Sequence, residues 1–191
     1  DKPDKNDDSA VSAAVLLVVD APPTVSLTAP TTNQVVTAPG TLTVTATATD
    51  SDGTIANVEF YQGSTLLGTV TAAPYSFAWS NVPAGSYTLT AKATDDRSAT
   101  TTSAPVNVIV NTPPTLDLTA PTVGQKFTAP ASIALAVTAA DADGSVVKVD
   151  YFQNGNPIGS ASTAPFGYTW SNVPQCSYTL TATATDDRGA Q

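Results

Sequence analysis

Two stretches of this chain are the same sequence unit, set 91 residues apart. PPTVSLTAP begins at Pro22 and PPTLDLTAP at Pro113 (113 − 22 = 91), and the offset runs on without a gap through Asp50/Asp141, Trp79/Trp170, Tyr87/Tyr178 and Arg97/Arg188. A repeat of about 90 residues is the size of an independent domain, so the chain reads as two modules rather than one continuous core. The repeat is out of phase with the ends. The first unit closes with TTSAPVNVIVNT at 101–112, whereas the second reaches Gln191 before its copy of that segment. The matching piece stands at the other end: AVSAAVLLVVDA, residues 10–21, lies 91 positions before 101–112. The expected organisation is a charged, disordered tail over 1–9, a strand and linker over 10–21, a first domain over 22–112, and a second domain over 113–191 that is one strand short.

Within each unit, apolar and polar residues alternate with a period of two, and Pro, Gly, Asn and Asp break the runs. No stretch carries a helical period. Strands are expected near 24–28, 41–49, 55–62, 65–71, 75–80, 86–94 and 102–110, and again 91 residues on, without the last. In SYTLTAKATD the inward set is Tyr87, Leu89, Ala91 and Ala93, with Lys92 outward; Val106, Val108 and Val110 point inward from the next strand. Seven short strands in about 90 residues predict an all-β fold of two tandem immunoglobulin-like sandwiches. Tyr87 and Tyr178 stand where a tyrosine-corner hydroxyl would bond the backbone, and Trp79 and Trp170 are expected to pack on the cores. Asn111-Thr112 before Pro113-Pro114 makes a short, stiff joint between the domains.

The segments PPTVSLTAP, ATDSDGTIANVEFY and LLGTVTAAPYSFAWSNVPAGSYTLTAKATDD, with their copies, resemble bacterial Ig-like modules of secreted chitinases, cellulases and surface adhesins. The resemblance covers 22–110 and 113–191, with 10–19 as an orphan last strand. It implies a fold and no single activity.

Aligned on 101–110, the orphan segment turns Val11, Ala13, Val15, Leu17 and Val19 inward, all apolar. The second domain would leave Tyr178, Leu180, Ala182 and Ala184 as an open groove with an unpaired edge, a template for another strand. Two residues, Asp20-Ala21, tie the segment to the first domain, too short a tether to reach the second. Insertion into another copy, head to tail, would give an open fibre, an arrangement that resembles donor-strand pilins. This reading makes the chain a structural subunit of an extracellular bacterial fibre whose partners are its own copies. A passive spacer cut from a larger secreted glycoside hydrolase or adhesin is the alternative, with 10–21 ending an upstream module. A carbohydrate-binding module using outward Tyr61 and Phe152 is a third, with polysaccharide as the partner.

Charged residues make up 12% of the chain and the net charge is −9, which provides no basic footprint for nucleic acid and no attraction to an anionic membrane. The apolar run Val11–Val19 is too short to span a bilayer. The chain opens on Asp1 without a leader, which reads as a processed, exported form. Histidine is absent, so Ser-His and Cys-His catalysis cannot be built, and no enzymatic role is expected. The single Cys176 allows no internal disulfide and falls on an exposed turn. The D-x-D-G loops and the last hairpins should meet at one end of each sandwich. They gather Asp50, Asp52, Asp95 and Asp96 in the first domain and Asp141, Asp143, Asp186 and Asp187 in the second. Clustered carboxylates suit a hard cation such as Ca²⁺; turn chemistry, with Arg97 and Arg188 neutralising the acids, accounts for the same residues without it. No cofactor is required.

Overall fold

The computed structural model describes residues 13–191. The first domain runs β1 (Thr24–Ala29), β2 (Gln34–Thr37), β3 (Gly40–Thr49), β4 (Ile55–Gln62), β5 (Thr65–Val70), β6 (Tyr75–Val82), β7 (Gly85–Asp95), β8 (Thr100–Thr102) and β9 (Val106–Asn111). One sheet has the order β1-β3-β6; the facing sheet has the order β2-β9-β7-β4-β5, with β8 also on β7. This is the immunoglobulin-like sandwich that the alternation demands. Along β7, Leu89, Ala91 and Ala93 are fully buried while Thr88 is exposed and Lys92 sits at the rim beside Glu59, 3.6 Å away.

The expected seventh strand is two pieces, β8 and β9. Pro105 lacks an N–H and cannot continue the ladder. Ser103 is buried just before it: its hydroxyl accepts from the Ala91 N–H at 3.0 Å and donates to the Ala104 carbonyl at 2.9 Å. The alternation slips there, so Thr102 and Ala104 are exposed. Val108 and Val110 are fully buried and Val106 partly so, as the pattern predicts. The sequence reading also passes over β2, which pairs parallel with β9 through Val36↔Val110. Its four residues are mostly exposed and carry no clear alternation.

The second domain runs β10 (Thr115–Ala120), β11 (Ala131–Ala140), β12 (Val146–Gln153), β13 (Asn156–Ala161), β14 (Tyr168–Val173) and β15 (Leu180–Asp186). One sheet keeps the order β10-β11-β14; the other has only β13-β12-β15. Counterparts of β2, β8 and β9 are absent among the described residues. Residues 125–128 and 176–179, which match β2 and the start of β7, belong to no strand. In the first domain both flank β9, which supplies their hydrogen-bond partners. An unpaired strand position has neither ladder bonds nor packing to hold it extended.

Residues 13–19 belong to no strand, and Val15, Leu16, Leu17 and Val19 are 82–89% exposed. The expected N-terminal strand is therefore not formed here, and Val11 lies outside the described residues. An isolated segment has no partner for its backbone and nowhere to bury its Val and Leu side chains.

Candidate functional site

The joint between the domains is a polar network. Arg188 reaches back from the β15 hairpin: one guanidinium nitrogen donates to the Asp143 carbonyl and carboxylate, each at 2.8 Å, and to Asn111 Oδ1 at 3.0 Å. Asn111 Nδ2 donates to Asp186 Oδ2 at 2.6 Å, and the Thr112 N–H to Asp143 Oδ1 at 3.0 Å. Asn111 is fully buried and Asp186 is 2% exposed. Burial alone would push the Asp186 carboxyl up. The Asn111 amide and the N–H groups of Ala190, Arg188 and Gly189 outweigh that and hold it below the usual carboxylate value.

The same network stands at the other end of the first domain. Arg97 donates to Asp20 Oδ1, to the Asp52 carbonyl and to Asp52 Oδ2, all at 3.0 Å, and the Ala21 N–H donates to Asp52 Oδ1 at 3.3 Å. Asp20 thus occupies the place of Asn111, and Ala21 that of Thr112. One bond is not repeated. A carboxylate has no N–H to give, and Asp95 Oδ2, the counterpart of Asp186 Oδ2, is buried with no partner among the described residues.

The acidic loops meet, and one oxygen of each of Asp50, Asp95, Asp96, Asp141 and Asp187 is engaged in turn chemistry, while Asp50 Oδ2, Asp95 Oδ2 and Asp141 Oδ2 are buried without a partner among the described residues. Asp95 Oδ1 accepts from the N–H groups of Arg97 and Ala99, and Asp96 Oδ1 from Thr54; Asp186 and Asp187 repeat this on Arg188, Ala190 and Ser145. Asp50 and Asp141 accept from the N–H groups of Asp52 and Asp143. Among the described residues no three carboxylates are grouped to hold a metal ion. The glycine of D-x-D-G is required by close approach: a Cβ on Gly53 would collide with Asp96 Oδ1 and lie 2.5 Å from Asp50 Oδ2, and one on Gly144 would meet Asp187 Oδ1 and Asp141 Oδ2 in the same way. Gly53→Ala and Gly144→Ala should each lower the melting temperature of their own domain, by the equivalent of about 1–3 kcal/mol for overpacking, in calorimetry of the single variants.

The second domain carries a cleft of ≈1170 Å³ where β9 lies in the first. One wall is Pro121–Ala129, which matches the β2 region; the other is 173–180. Of the expected groove residues, Tyr178 and Leu180 line it. Ala182 and Ala184 do not: they face the second core, where Ala184 is 4% exposed. The Pro121–Ala129 wall escaped the sequence reading because β2 did. Leu180 is half-buried where its counterpart Leu89 is fully buried, and Phe127 is 42% exposed. Cys176 stands free and exposed on the rim.

Tyr61 and Phe152 lie outward on β4 and β12, one in each domain, both partly buried; the Tyr61 hydroxyl donates to Glu59 at 2.9 Å, and that bond holds the phenol above its ordinary pKa. Trp79 and Trp170 pack edge-on against Tyr87 and Tyr178, ring centres 5.0 and 4.9 Å apart, and the two tyrosine hydroxyls donate to the carbonyls of Pro83 and Pro174. Both tyrosine corners are present.

Two β-sandwiches in tandem, each with a tyrosine corner and a polar joint at its head, define a multi-module β-sandwich protein. The chain belongs to the bacterial Ig domain family, whose model matches residues 23–91 and 114–182. It is similar to the fibronectin(III)-like modules of Clostridium thermocellum CbhA, with 30% identity, 87% of this chain and 88% of that one covered, and a TM-score of 0.53. The PKD1 domain of Vibrio anguillarum Epp matches at 21% identity over 50% of this chain and 100% of its own, with a TM-score of 0.37. The PKD1 domain of Vibrio cholerae metalloprotease PrtV matches at 26% identity, 48% and 98% coverage, and a TM-score of 0.31. No curated protein matches the chain. Bacterial Ig domains are usually extracellular or surface-exposed and are typically non-catalytic. No helix of the described residues is long and apolar enough to cross a membrane.

Proposed function

We propose that the chain is a structural spacer: a tandem pair of Ig-like modules in an exported bacterial protein, holding what precedes and follows it at a set separation. The observation that carries this is the joint. Asn111, Asp143, Asp186 and Arg188 tie the domains through side chains and backbone, and the linker between β9 and β10 is only Thr112-Pro113-Pro114. A flexible tether would need neither. Small-angle scattering should give one well-defined interdomain distance for the unaltered chain and a broadened distribution for Arg188→Ala. Equal breadth in both removes the spacer reading.

A second reading is favoured by the cleft. The walls of this strand seat match the two neighbours of β9, and Val15, Leu17 and Val19 carry the alternation of β9, so the segment of one copy can pair with the seat of another, head to tail. Under this reading the spacer is also the repeating element of an extracellular fibre. Electron microscopy of concentrated protein should then show filaments; particles of one subunit's size at every concentration would leave the spacer alone.

A further inference from the structure

We propose that the outer edge of β5 in the first domain is a pairing surface for β5 of a second copy, run antiparallel, so that the two sheets join edge to edge. This goes beyond the spacer and fibre readings and needs neither. β5 (Thr65–Val70) ends its sheet: it pairs with β4 alone, and no backbone bond outside that ladder reaches it among the described residues. Free edges invite other strands, and soluble proteins blunt them with charges or proline. TLLGTV has neither, and Leu66 is 48% exposed.

The second domain carries the guard that the first lacks. Its counterpart strand, β13, has Pro157 at the place of Leu66, and the Tyr168 hydroxyl donates to the Ile158 carbonyl. At the place of Tyr168 the first domain has Phe77, with no hydroxyl to give. Proline stands within a sheet where its missing N–H would point away from the ladder. Pro157 faces Phe152 in the same register in which Leu66 faces Tyr61, so the N–H and carbonyl of Leu66 point away from β4. Facing pairs alternate between bonded and non-bonded along an antiparallel ladder. Phe60 faces Gly68 next, with Leu67 as the extra residue of a bulge, and Glu59 faces Thr69 after it. Thr69 therefore turns its backbone outward as well.

The bulge points to the occupant. It sets the outward groups of β5 three residues apart, where a regular strand has them two apart. A second copy of β5, reversed end to end, has the same spacing. Leu66 of each copy then meets Thr69 of the other, and each facing pair exchanges two hydrogen bonds. Such a two-fold contact lays the same surface on itself. In a chain of net charge −9 that is least costly where the surface is neutral, and no residue of β5 is charged.

Sedimentation of the unaltered chain in reductant, from micromolar to millimolar concentration, should show a monomer–dimer equilibrium. Leu66→Pro should weaken it about tenfold or more, because two hydrogen bonds between copies are lost. The melting temperature of the first domain should change little, since this register accepts proline in the second. A chain that stays monomeric throughout, or a Leu66→Pro dimer as strong as the unaltered one, overturns the proposal. Cysteine pairing decides even where the proline unfolds the domain. Facing residues have Cα atoms about 5.5 Å apart, within the roughly 4.4–6.8 Å that a disulfide spans. With Cys176→Ser in every chain, a mixture of Leu66→Cys and Thr69→Cys should give, on mild oxidation, the mixed dimer in several-fold excess over either variant's own dimer. Yields in the ratio of random collision overturn the pairing.

Discussion

Leu89→Ala should destabilise the first domain by about 2–5 kcal/mol, while Leu180→Ala, at the same place in the second, should cost roughly half that or less. Leu89 is fully buried on β7, closed in on the edge side by β9, so truncation opens a cavity and forfeits transfer energy together. Leu180 opens onto the ≈1170 Å³ cleft, where part of its surface already meets solvent and no lid is present to leave a void under. Hydrogen exchange resolved by domain measures both, since each sandwich reports through its own amides. The difference should shrink when residues 10–21 are added as a peptide, because a filled seat turns Leu180 into a second Leu89. Equal costs in the free chain would show that the cleft is closed in solution.

The second large effect is expected at Asn111. Asn111→Ala removes the amide that donates to Asp186 and leaves a carboxylate oxygen buried without a partner, a cost of about 1–3 kcal/mol. The pH dependence follows from the same bond. The folded Asp186 carboxyl titrates below its unfolded value, so its contribution to stability is fully present above the unfolded pKa of about 3.9 and is lost as pH falls through the lower, folded value. Melting curves between pH 7 and pH 2 should show the second domain losing stability over that interval. In Asn111→Ala the loss should be smaller, because part of what depresses the pKa is gone. An unchanged pH profile would remove Asn111 from this role.

Alternation along β3, β4 and β7 locates most of the framework from the residues alone, because each of these strands buries one face and exposes the other. β2 escapes the pattern. It is four residues long, largely solvent-facing, and held by parallel pairing to a strand more than 70 positions away. The slip at Ser103 is equally silent, since a buried serine and an exposed alanine invert the usual sense of inside and outside. At the joint, the acids and arginines are visible as a cluster, but their partners are not. Arg188 and Asn111 are 77 positions apart and meet only when both sandwiches are built. One signal was available. The 91-residue offset sets Asp20 against Asn111, a change of charge just ahead of the matched prolines Pro22-Pro23 and Pro113-Pro114.

That substitution has a mechanical consequence. Asn111 ties its joint with an amide bond to Asp186, while Asp20 leaves Asp95 Oδ2 without an equivalent donor. Any string of modules linked through both kinds of hinge would alternate stiff and compliant articulations, and under tension or bending it would yield first at every second one. Asp20→Asn would make the persistence length uniform.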